Sequence, residues 1–376
     1  MILGIDATNI NAGGGVTHLL GLLQASNPQR HGFDEVILWT GNEELREQLT
    51  APWLHIKFDP HFKGSRTYRY IWQLKGLPKE TEKCDLLFVP GGLYLGHFRP
   101  FVAMSQNLLP FDDSNPNLNP LFSMRNFRMK ALKWGQSRTF RSAKGIIFLT
   151  AHAKNTILRR IMSFRGQTAV IPHGINGMFF RPTPPQESVI AYDQNRPFRI
   201  LYVSTIAFYK HQAEVVEAVG ALVEQGMPLE LIIAGPALYR DAYLNMQNVI
   251  ARCNRKRRFA CYRGTVAHES LVSLYHSADM FIFASSCENL PLILLEAMAA
   301  SLPIACSQCA PMPEVLKDGG IYFDPESSDS IAGAVRDLIL HADKRKSCAE
   351  KAHRYAREYS WQRCADETFS FLASCA

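Results

Sequence analysis

Two carboxylates stand in an otherwise apolar segment, residues 285 to 307, which reads SSCENLPLILLEAMAASLPIACS. Glu288 follows a predicted strand and precedes Pro291, a residue type favoured at the first position of a helix. We therefore expect its carboxylate near a helix N-terminus. Glu296 falls more than one turn into that helix. Because burying lone carboxylates is costly, the pair favours a site where they accept hydrogen bonds from sugar hydroxyls or a ribose diol.

Two other loops carry residues suited to binding an anion. The first is NINAGGGVTHLLGLL, where Gly13, Gly14 and Gly15 precede an apolar helix and would let backbone N–H groups approach a phosphate or a sugar. A structural tight turn explains such a run as well, because it is not GxGxxG. The second is LYVSTIAFYKHQAEVVEA, where Lys210 lies at the mouth of a helix. Its ammonium would either pair with a diphosphate or be an ordinary solvent-exposed group on the protein surface.

These residues need a scaffold, and short apolar runs alternating with helical stretches predict parallel sheets flanked by helices. Each half of the chain contains six candidate strands: MILGID, EVILWT, DLLFVP, FVAMS, GIIFLT and AVIPHG, then FRILYVS, LELIIAG, FACYRG, MFIFAS, LPIACS and GIYFD. We expect an α/β fold of two facing, Rossmann-like, doubly wound domains, with the active site in the cleft between them. Ligands of such sheets bind beyond the carboxyl ends of the strands, which is where the loops above lie.

Composition agrees with a two-domain globular protein. The chain has 376 residues, of which 47% are hydrophobic and 20% charged. The proline-rich segment RPTPPQESVIAYDQNRP predicts a linker between the domains. No window approaches the roughly 18 to 20 apolar residues of a membrane span, and the start, MILGIDATNI, lacks the pattern of a signal peptide. We expect a cytoplasmic protein.

The formal net charge of +7 is concentrated in two stretches where basic residues interleave with aromatic ones. They are residues 62–79 and residues 121–144, and the second has helical spacing, with Phe122, Met129, Leu132 and Phe140 among Arg125, Arg128, Lys130, Lys133 and Arg138. Such a helix either lies peripherally on an anionic membrane or forms a solvated domain face. Nucleic-acid binding is disfavoured, because no recognised reader motif accompanies the patches.

No metal or cofactor is expected. Nine scattered cysteines fit a reducing compartment, and Cys306 and Cys309, although spaced as metal ligands, have no second pair to complete a zinc site. The chain has no DxD motif, and Asp112 and Asp113 are interpreted as loop residues.

The segment ENLPLILLEAMA resembles the E-x7-E element of the retaining family 4 glycosyltransferases, which have the GT-B fold of two Rossmann-like domains. Further similarity extends along the chain in FLTAHAKNTI, VIPHGIN, YVSTIAFYKH, IIAGP, YRGTV, LVSLYHSADMFIFASSCENLP, MPEVLKDGGIYFDP and YSWQRCADETFSFL. The resemblance implies an acceptor domain at 1–180, completed by a C-terminal helix at 360–376, and a donor domain at 195–359.

The resemblance also implies roles for individual residues. Glu288 would contact the donor sugar near its transferred carbon, and Lys210 would stabilise the leaving diphosphate; these two are the candidate catalytic residues. Glu296 would hold the ribose hydroxyls, and the backbone N–H groups of Asn289 and Leu290 would bind the sugar or phosphate. The remaining donor-side positions are Gly14, Gly15, Ser204, Thr205, Gly235, Gly264 and Val266.

Two departures from the family pattern leave roles open. Ser204 and Thr205 stand where many members have Gly-Arg before the lysine, so a second positive charge is missing or comes from elsewhere, with Arg240 and Arg263 as candidates. Gln106 and Asn107 stand where many members have a histidine. Both are assigned to the acceptor side, together with His173, which is interpreted as a domain-edge residue and not as a catalyst.

The implied function is retaining transfer of a sugar from a UDP- or GDP-sugar to a hydroxyl of a growing, lipid-linked bacterial glycan such as O-antigen or capsule, with no metal. Three alternatives remain. A GT-B epimerase would interconvert its sugar nucleotide and need no acceptor. An NAD-dependent dehydrogenase would need a tighter glycine fingerprint. A catalytically silent assembly partner would keep the fold while losing the site.

Overall fold

The computed structural model describes residues 1–112 and 124–376, with the backbone alone at 124–127, 268 and 269. The described chain divides into two compact units. The first contains residues 1–112, 124–176 and Tyr359–Ala376, and the second contains Gly177–Glu358. Asp113, Phe122 and the side chain of Arg125, which were named in the sequence interpretation, lie outside the described part.

The first unit is built on a parallel sheet of seven strands in the order β3-β2-β1-β4-β5-β6-β7. The strands are β1 (Ile2–Asp6), β2 (Glu35–Thr40), β3 (Leu54–Phe58), β4 (Leu86–Val89), β5 (Phe101–Ser105), β6 (Gly145–Phe148) and β7 (Gln167–Val170). The apolar strands β4, β5 and β6 are buried along their whole length, as expected when helices cover both faces of a parallel sheet.

The sequence prediction lacks β3, one of the two edge strands of this sheet. Its residues alternate between half-buried and exposed, because His55 and Lys57 point to solvent. An edge strand with one wet side needs no continuous apolar run. Continuous apolar runs, the signal used to predict the strands, therefore do not reveal β3.

Helices connect most of the strands of the first unit, whereas β4 leads to β5 without one. The helices are α1 (Gly14–Ala25), α2 (Glu43–Gln48), α3 (His61–Gly64), α4 (Arg66–Ile71), α5 (Leu77–Glu80), α6 (Met124–Ser142) and α7 (Ala151–Ile161). A π-helical turn, Trp72–Gly76, joins α4 to α5. Short 3-10 turns lie at Pro28–His31, Thr81–Lys83 and Leu109–Phe111.

The second unit contains a parallel sheet of six strands in the order β10-β9-β8-β11-β12-β13, and all six were predicted. The strands are β8 (Phe198–Val203), β9 (Leu229–Ala234), β10 (Ala260–Tyr262), β11 (Met280–Phe283), β12 (Ile304–Ser307) and β13 (Ile321–Phe323). Its helices are α8 (Gln212–Glu224), α9 (Arg240–Cys253), α10 (His268–His276), α11 (Leu292–Ala299), α12 (Met312–Leu316), α13 (Ser328–Leu340) and α14 (Ala342–Ala356). Helices α8, α9 and α13 pack together, and α11, α12 and α14 form a second group.

Both sheets are doubly wound, which confirms the predicted fold class of each domain. The strand order reverses between β1 and β4 in the first sheet and between β8 and β11 in the second. At such a reversal the connections leave on opposite faces, and a crevice opens beyond the carboxyl ends of the two strands. The loops that follow β8 and β11 are therefore where a ligand of the second domain is expected.

The boundary region belongs to the second unit, whereas the sequence interpretation assigned residues 181–194 to a linker. Arg181 fixes this region, because its side chain donates to the carbonyls of Ala300 at 2.7 Å and His276 at 2.6 Å. Further 3-10 turns in this unit are Gly177–Phe179, Val189–Ala191 and Phe208–Lys210.

The last helix, α15 (Trp361–Ser374), packs on α1 in the first unit. Ser360 caps it, because its hydroxyl accepts from the backbone N–H of Arg363 at 3.1 Å. The chain end thus completes the domain in which the chain begins.

Candidate functional site

Lys210 and Glu288 meet at the point where the strand order of the second sheet reverses. Strands β8 and β11 are neighbours, Lys210 ends the turn after β8, and Glu288 lies in the loop after β11. The Lys210 ammonium forms an ion pair with the Glu288 carboxylate, and the two side chains are only 7% and 16% exposed. The ring centroid of Phe283 lies 5.2 Å from Lys210 Nζ. Residues 78 positions apart are thus joined in one enclosed pair.

The loop that carries Lys210 is hydrogen-bonded both to strand β8 and to the loop that carries Glu288. The Tyr202 hydroxyl donates to the carbonyl of Lys210, and the Ser286 N–H donates to the carbonyl of Tyr209 at 2.9 Å. His211 adopts a left-handed conformation with φ 51° at the start of α8, and its Nε2 lies 3.1 Å from Ser286 Oγ. These bonds fix the lysine relative to the glutamate without using either side chain.

Ser204 and Thr205, which replace the usual Gly-Arg, hold the turn after β8. Gln212 donates to Ser204 Oγ at 2.8 Å and to the Thr205 carbonyl at 3.0 Å. The Ser204 side chain is buried, so its hydroxyl serves the loop. Arg240, the first residue of α9, and Arg263, directly after β10, are both exposed.

Gly235 brings the loops after β8, β9 and β10 together. It has φ +136°, a conformation that L side chains rarely adopt, and a Cβ there would overlap the Ser204 carbonyl. Its N–H donates to the Gly264 carbonyl at 2.8 Å. Val266 follows, half-buried, just before α10. The backbone of three loops therefore forms one surface at the carboxyl ends of the strands.

Glu296 lies in the second turn of α11 and is held by a tyrosine that the sequence interpretation did not single out. Tyr275 is fully buried between Phe179 and Phe281, each with its ring centroid 5.6 Å away. Its hydroxyl donates to Glu296 Oε2 at 2.9 Å. Glu296 keeps some solvent exposure, but protein atoms surround its carboxyl group, and this burial raises its pKa to about 7 despite the opposing effect of the Tyr275 hydroxyl.

The loop between the two glutamates ends at a helix N-terminus. Asn289 and Leu290 are buried, and Pro291 occupies the capping position one residue before α11 instead of the first helical position that the sequence predicts. The first turn of α11 contains no acidic residue. Its backbone N–H groups therefore give this edge of the site a positive potential.

A second group of the predicted residues lies in the first unit. Helix α1 begins at Gly14, and Gln106, after β5, places its Oε1 3.1 Å from the position that a Cβ of Gly15 would occupy. Gln106 Nε2 lies 3.1 Å from Nδ1 of His18. Since the amide nitrogen can only donate, His18 Nδ1 is the acceptor. The Gln106 carbonyl is thus directed at the glycine loop.

His173 is an interior residue of the first unit. Its ring stacks on His18 with centroids 4.3 Å apart and on Trp361 at 5.9 Å. Burial lowers the pKa of His18 to about 3 and holds the pKa of His173 well below its usual value, so both rings are neutral at pH 7.

Asn107, the other predicted acceptor-side residue, stabilises the loop in which it lies, because its side-chain carbonyl accepts from the Leu109 N–H at 3.1 Å.

The structure therefore gathers the predicted residues into two groups, one in each unit. The residues that sequence reasoning missed, His211, Gln212 and Tyr275, all support predicted ones. Tyr275 and His211 carried a signal, because they lie within LVSLYHSAD and YVSTIAFYKH, two segments that contributed to the resemblance; Gln212 follows directly after the second. In the second unit a cation and two carboxylates lie on the segments that follow β8 and β11, together with the N-terminus of α11. This combination suits an anionic, polyhydroxylated ligand.

Two further properties concern metals and membranes. Within the described residues, no three or more His, Cys, Asp and Glu side chains come together to hold a metal ion; Cys306 is buried in β12. None of the helices in the described part of the chain combines the length and the apolar character that crossing a membrane requires.

Comparison with known sequences gives one family match and several relatives. The family model described as Glycosyl transferases group 1 matches residues 166–355. The O-antigen chain mannosyltransferase B of Escherichia coli is 29% identical over 45% of this chain and 44% of its own length. The spore coat protein SA of Bacillus subtilis is 24% identical over 61% and 64%. The chain thus aligns with less than two thirds of the length of these relatives.

Solved structures match over almost the whole chain. The sucrose-phosphate synthase of Thermosynechococcus elongatus superimposes with a TM-score of 0.72 at 15% identity, covering 100% of this chain and 98% of that protein. HepE of Anabaena in complex with UDP-glucose gives 0.71 at 16% identity, with 100% of both chains covered. At this identity the likeness shows the fold.

Proposed function

The chain belongs to the Glycosyl transferases group 1 family and has the GT-B fold class, and on that premise we propose that it is a retaining glycosyltransferase using a UDP- or GDP-sugar. The acceptor in this proposal is a hydroxyl of a growing, lipid-linked bacterial surface glycan. The name of the Escherichia coli relative, an O-antigen chain mannosyltransferase, supports that choice of acceptor.

The enclosed pair of Lys210 and Glu288 carries the proposal. When a nucleoside diphosphate departs from an anomeric carbon, negative charge grows on the phosphate and positive charge on the sugar. The Lys210 ammonium has three donors, so it can keep its contact with Glu288 and still donate to the diphosphate. Glu288, at the same point, is placed to orient the sugar and offset its positive charge.

The surrounding residues suit the rest of the donor. Glu296 would accept from the ribose hydroxyls, and the N–H groups of Asn289 and Leu290 would bind sugar or phosphate at the start of α11. The backbone of Gly235, Gly264 and Val266 would lie around the nucleoside. HepE, whose structure holds UDP-glucose, shares the fold and supports a nucleotide-sugar donor for this chain.

Retention is proposed through attack on the face that the diphosphate leaves. The acceptor hydroxyl forms a new bond to the anomeric carbon as the bond to the diphosphate oxygen breaks, and a phosphate oxygen takes the hydroxyl proton. Lys210 and the N-terminus of α11 supply the positive charge in this scheme, so we propose that no bridging metal is needed and that EDTA leaves the rate unchanged.

The proposal is tested first with ligands and then with one substitution. Thermal melting with UDP, GDP, ADP, dTDP and NAD identifies the bound nucleotide, because a ligand of the folded state raises the melting temperature. Transfer from the matching nucleotide sugar is then measured for Glu288→Gln, which keeps a hydrogen-bond acceptor beside Lys210 but removes the charge. We expect transfer to fall by at least about 100-fold, since electrostatic stabilisation at such sites has that order of effect.

Glu350→Gln on α14 is the matched control, because it makes the same chemical change at an exposed position of the same unit. It should keep full activity. A Glu288→Gln variant that folds and transfers as fast as this control would refute the role of Glu288. Melting shifts with NAD alone would favour a dehydrogenase.

A further inference from the structure

One surface of the first unit joins two stretches that are distant in the sequence. Gln73, in the π-helical turn, donates to the Leu93 carbonyl at 3.4 Å and accepts from the Leu95 N–H at 3.3 Å. On the other side of the same loop, the Thr139 hydroxyl of α6 accepts from the Tyr94 N–H at 2.9 Å. Residues 93–95 therefore lie between α6 and the segment formed by α4, the π turn and α5.

Large apolar side chains project into solvent on both sides of this loop. Ile71 and Leu74 are 52% and 42% exposed, and Trp134 on α6 is 67% exposed. Leu93 and Leu95 between them are half-buried. Trp134 is the most exposed of the five tryptophans of the chain. Apolar groups concentrated in this way on a charged face mark a contact surface more often than isolated ones do.

Positive charge surrounds these apolar side chains. Residues 62–79 and α6 include six exposed basic residues that form no ion pair with a carboxylate of the described chain: Lys63, Arg66, Lys75, Lys79, Lys130 and Arg138. Residues 62–79 and α6 contain no Asp or Glu. We call the three apolar and six basic residues together the basic–apolar surface.

We propose that the basic–apolar surface docks on the headgroup region of an anionic lipid bilayer. Basic side chains near an anionic leaflet contribute about 1 kcal/mol each, and Trp, Ile and Leu enter the interface below them. A nucleic acid would satisfy the charges and could stack a base on Trp134, but it would leave the aliphatic side chains of Ile71 and Leu74 in water. The proposal deepens the lipid-linked acceptor of the proposed function by naming the membrane-binding face, although its geometry does not depend on transferase activity.

The test is sedimentation of the full-length chain with vesicles of phosphatidylcholine alone and with 30% phosphatidylglycerol, at low and high salt. We expect binding to anionic vesicles that weakens with salt, and little binding to neutral ones. Tryptophan emission should shift to the blue on binding, and Trp134→Phe should remove most of that shift. Nucleotide melting shifts are recorded on the same samples, so that failure of membrane docking and failure of donor binding are read separately.

Two double variants test the basic and the apolar residues of the basic–apolar surface separately. Lys75→Glu with Lys130→Glu should weaken partition to anionic vesicles by at least about tenfold. Ile71→Ser with Trp134→Ser should weaken it and abolish the emission shift. The matched controls lie in the second unit: Lys346→Glu for charge, and Ile190→Ser, which is 89% exposed, for apolar surface.

Absence of binding to anionic vesicles at low salt would overturn the proposal, and so would unchanged binding of both double variants. Binding of RNA that competes with vesicles and survives Ile71→Ser with Trp134→Ser would assign the charges to a nucleic acid instead. Because every substituted side chain is exposed, a loss of binding with unchanged melting temperature reports on the surface and not on folding.

Discussion

Glu296 is the one carboxyl group in the otherwise apolar helix α11, and its surroundings make it titrate near neutral pH. Burial raises its pKa to about 7, and the Tyr275 hydroxyl limits that rise by donating to the carboxylate. A raised carboxyl pKa means that the folded chain binds the proton more tightly than the unfolded chain. Its contribution to the free energy of unfolding therefore falls as pH rises from about 4.5 to about 7 and is constant above that.

Nucleotide affinity should depend on the same titration. If Glu296 accepts from the ribose hydroxyls, the ionised form binds better, and affinity should rise by up to about tenfold between pH 6 and pH 8. Isothermal titration with the nucleoside diphosphate that stabilises the chain measures this effect. The terminal phosphate of the ligand also titrates near pH 6, so the comparison is made with Glu296→Gln.

Two variants, Glu296→Gln and Tyr275→Phe, separate the titration of Glu296 from that of the ligand phosphate. Glu296→Gln should lose the part of the pH dependence that belongs to the protein. Tyr275→Phe removes the hydroxyl that lowers the Glu296 pKa, so the midpoint of the profile should move to higher pH. Identical profiles for wild type and Glu296→Gln would show that Glu296 does not hold the ligand.

At the scale of elements, α15 is attached to α1 through close contact at a glycine. A Cβ added at Gly21 on α1 would overlap the ring of Trp361, the first residue of α15. Further along the same side of α15, Phe369 and Leu372 are buried. The approach of these two helices therefore depends on the absence of a side chain at position 21.

Gly21→Ala should destabilise the chain by about 1 to 3 kcal/mol, because overpacking forces neighbouring groups to shift. Gly333→Ala is the matched control: it is a helical glycine in α13 with open space around its Cβ position, and it should stabilise by about 0.5 to 1 kcal/mol. Urea unfolding measures both changes. Equal effects of the two substitutions would contradict the packing seen at Gly21.

The stacked rings of His18 and His173 join α1, the loop after β7 and α15 through neutral, buried imidazoles. The folded pKa of His18 is about 3, against an ordinary value of 6.5. The unfolded chain therefore binds the extra proton, and stability that is full above pH 6.5 is lost as pH falls below it. Between pH 7 and pH 5 the loss from His18 alone is about 2 kcal/mol.

His18→Asn should reduce this loss, because Asn keeps an acceptor for Gln106 and cannot be protonated in this range. Chemical denaturation at pH 7 and pH 5 gives the difference for wild type and variant. A lower stability of the variant at pH 7 does not affect the test, since only the change with pH is compared. An equal pH dependence in both proteins would mean that His18 is not the group that titrates.

At the scale of the whole molecule, the predicted donor residues after β8 to β11 belong to the second unit, whereas the glycine loop belongs to the first. Hydrogen exchange with a nucleoside diphosphate should therefore protect residues 204–210, 235–236, 264–266 and 286–294. A dinucleotide bound in the manner of a dehydrogenase would instead protect residues 13–15 first. Protection confined to the glycine loop would contradict the donor site proposed for the second unit.

Much of this arrangement was predictable, because its signals are local. The six strands of the second sheet are short apolar runs ended by small or polar residues, and the order of these runs predicts parallel winding. Lys210 and Glu288 follow two of these runs, so the winding alone brings them to one edge. The strand β3 was missed, because His55 and Lys57 interrupt its apolar residues.

The fold class and the loops that carry the candidate chemistry follow from the sequence, since apolar periodicity and the residues that end each run are properties of neighbours in the chain. The contacts that tune those residues follow from the packing of the folded chain: Tyr275 on Glu296, Gln106 directed at Gly15, and His173 enclosed between His18 and Trp361. These contacts join residues that are between 21 positions (Tyr275 and Glu296) and 188 positions (His173 and Trp361) apart in the chain. Their geometry depends on how whole helices and strands pack, which no local pattern encodes.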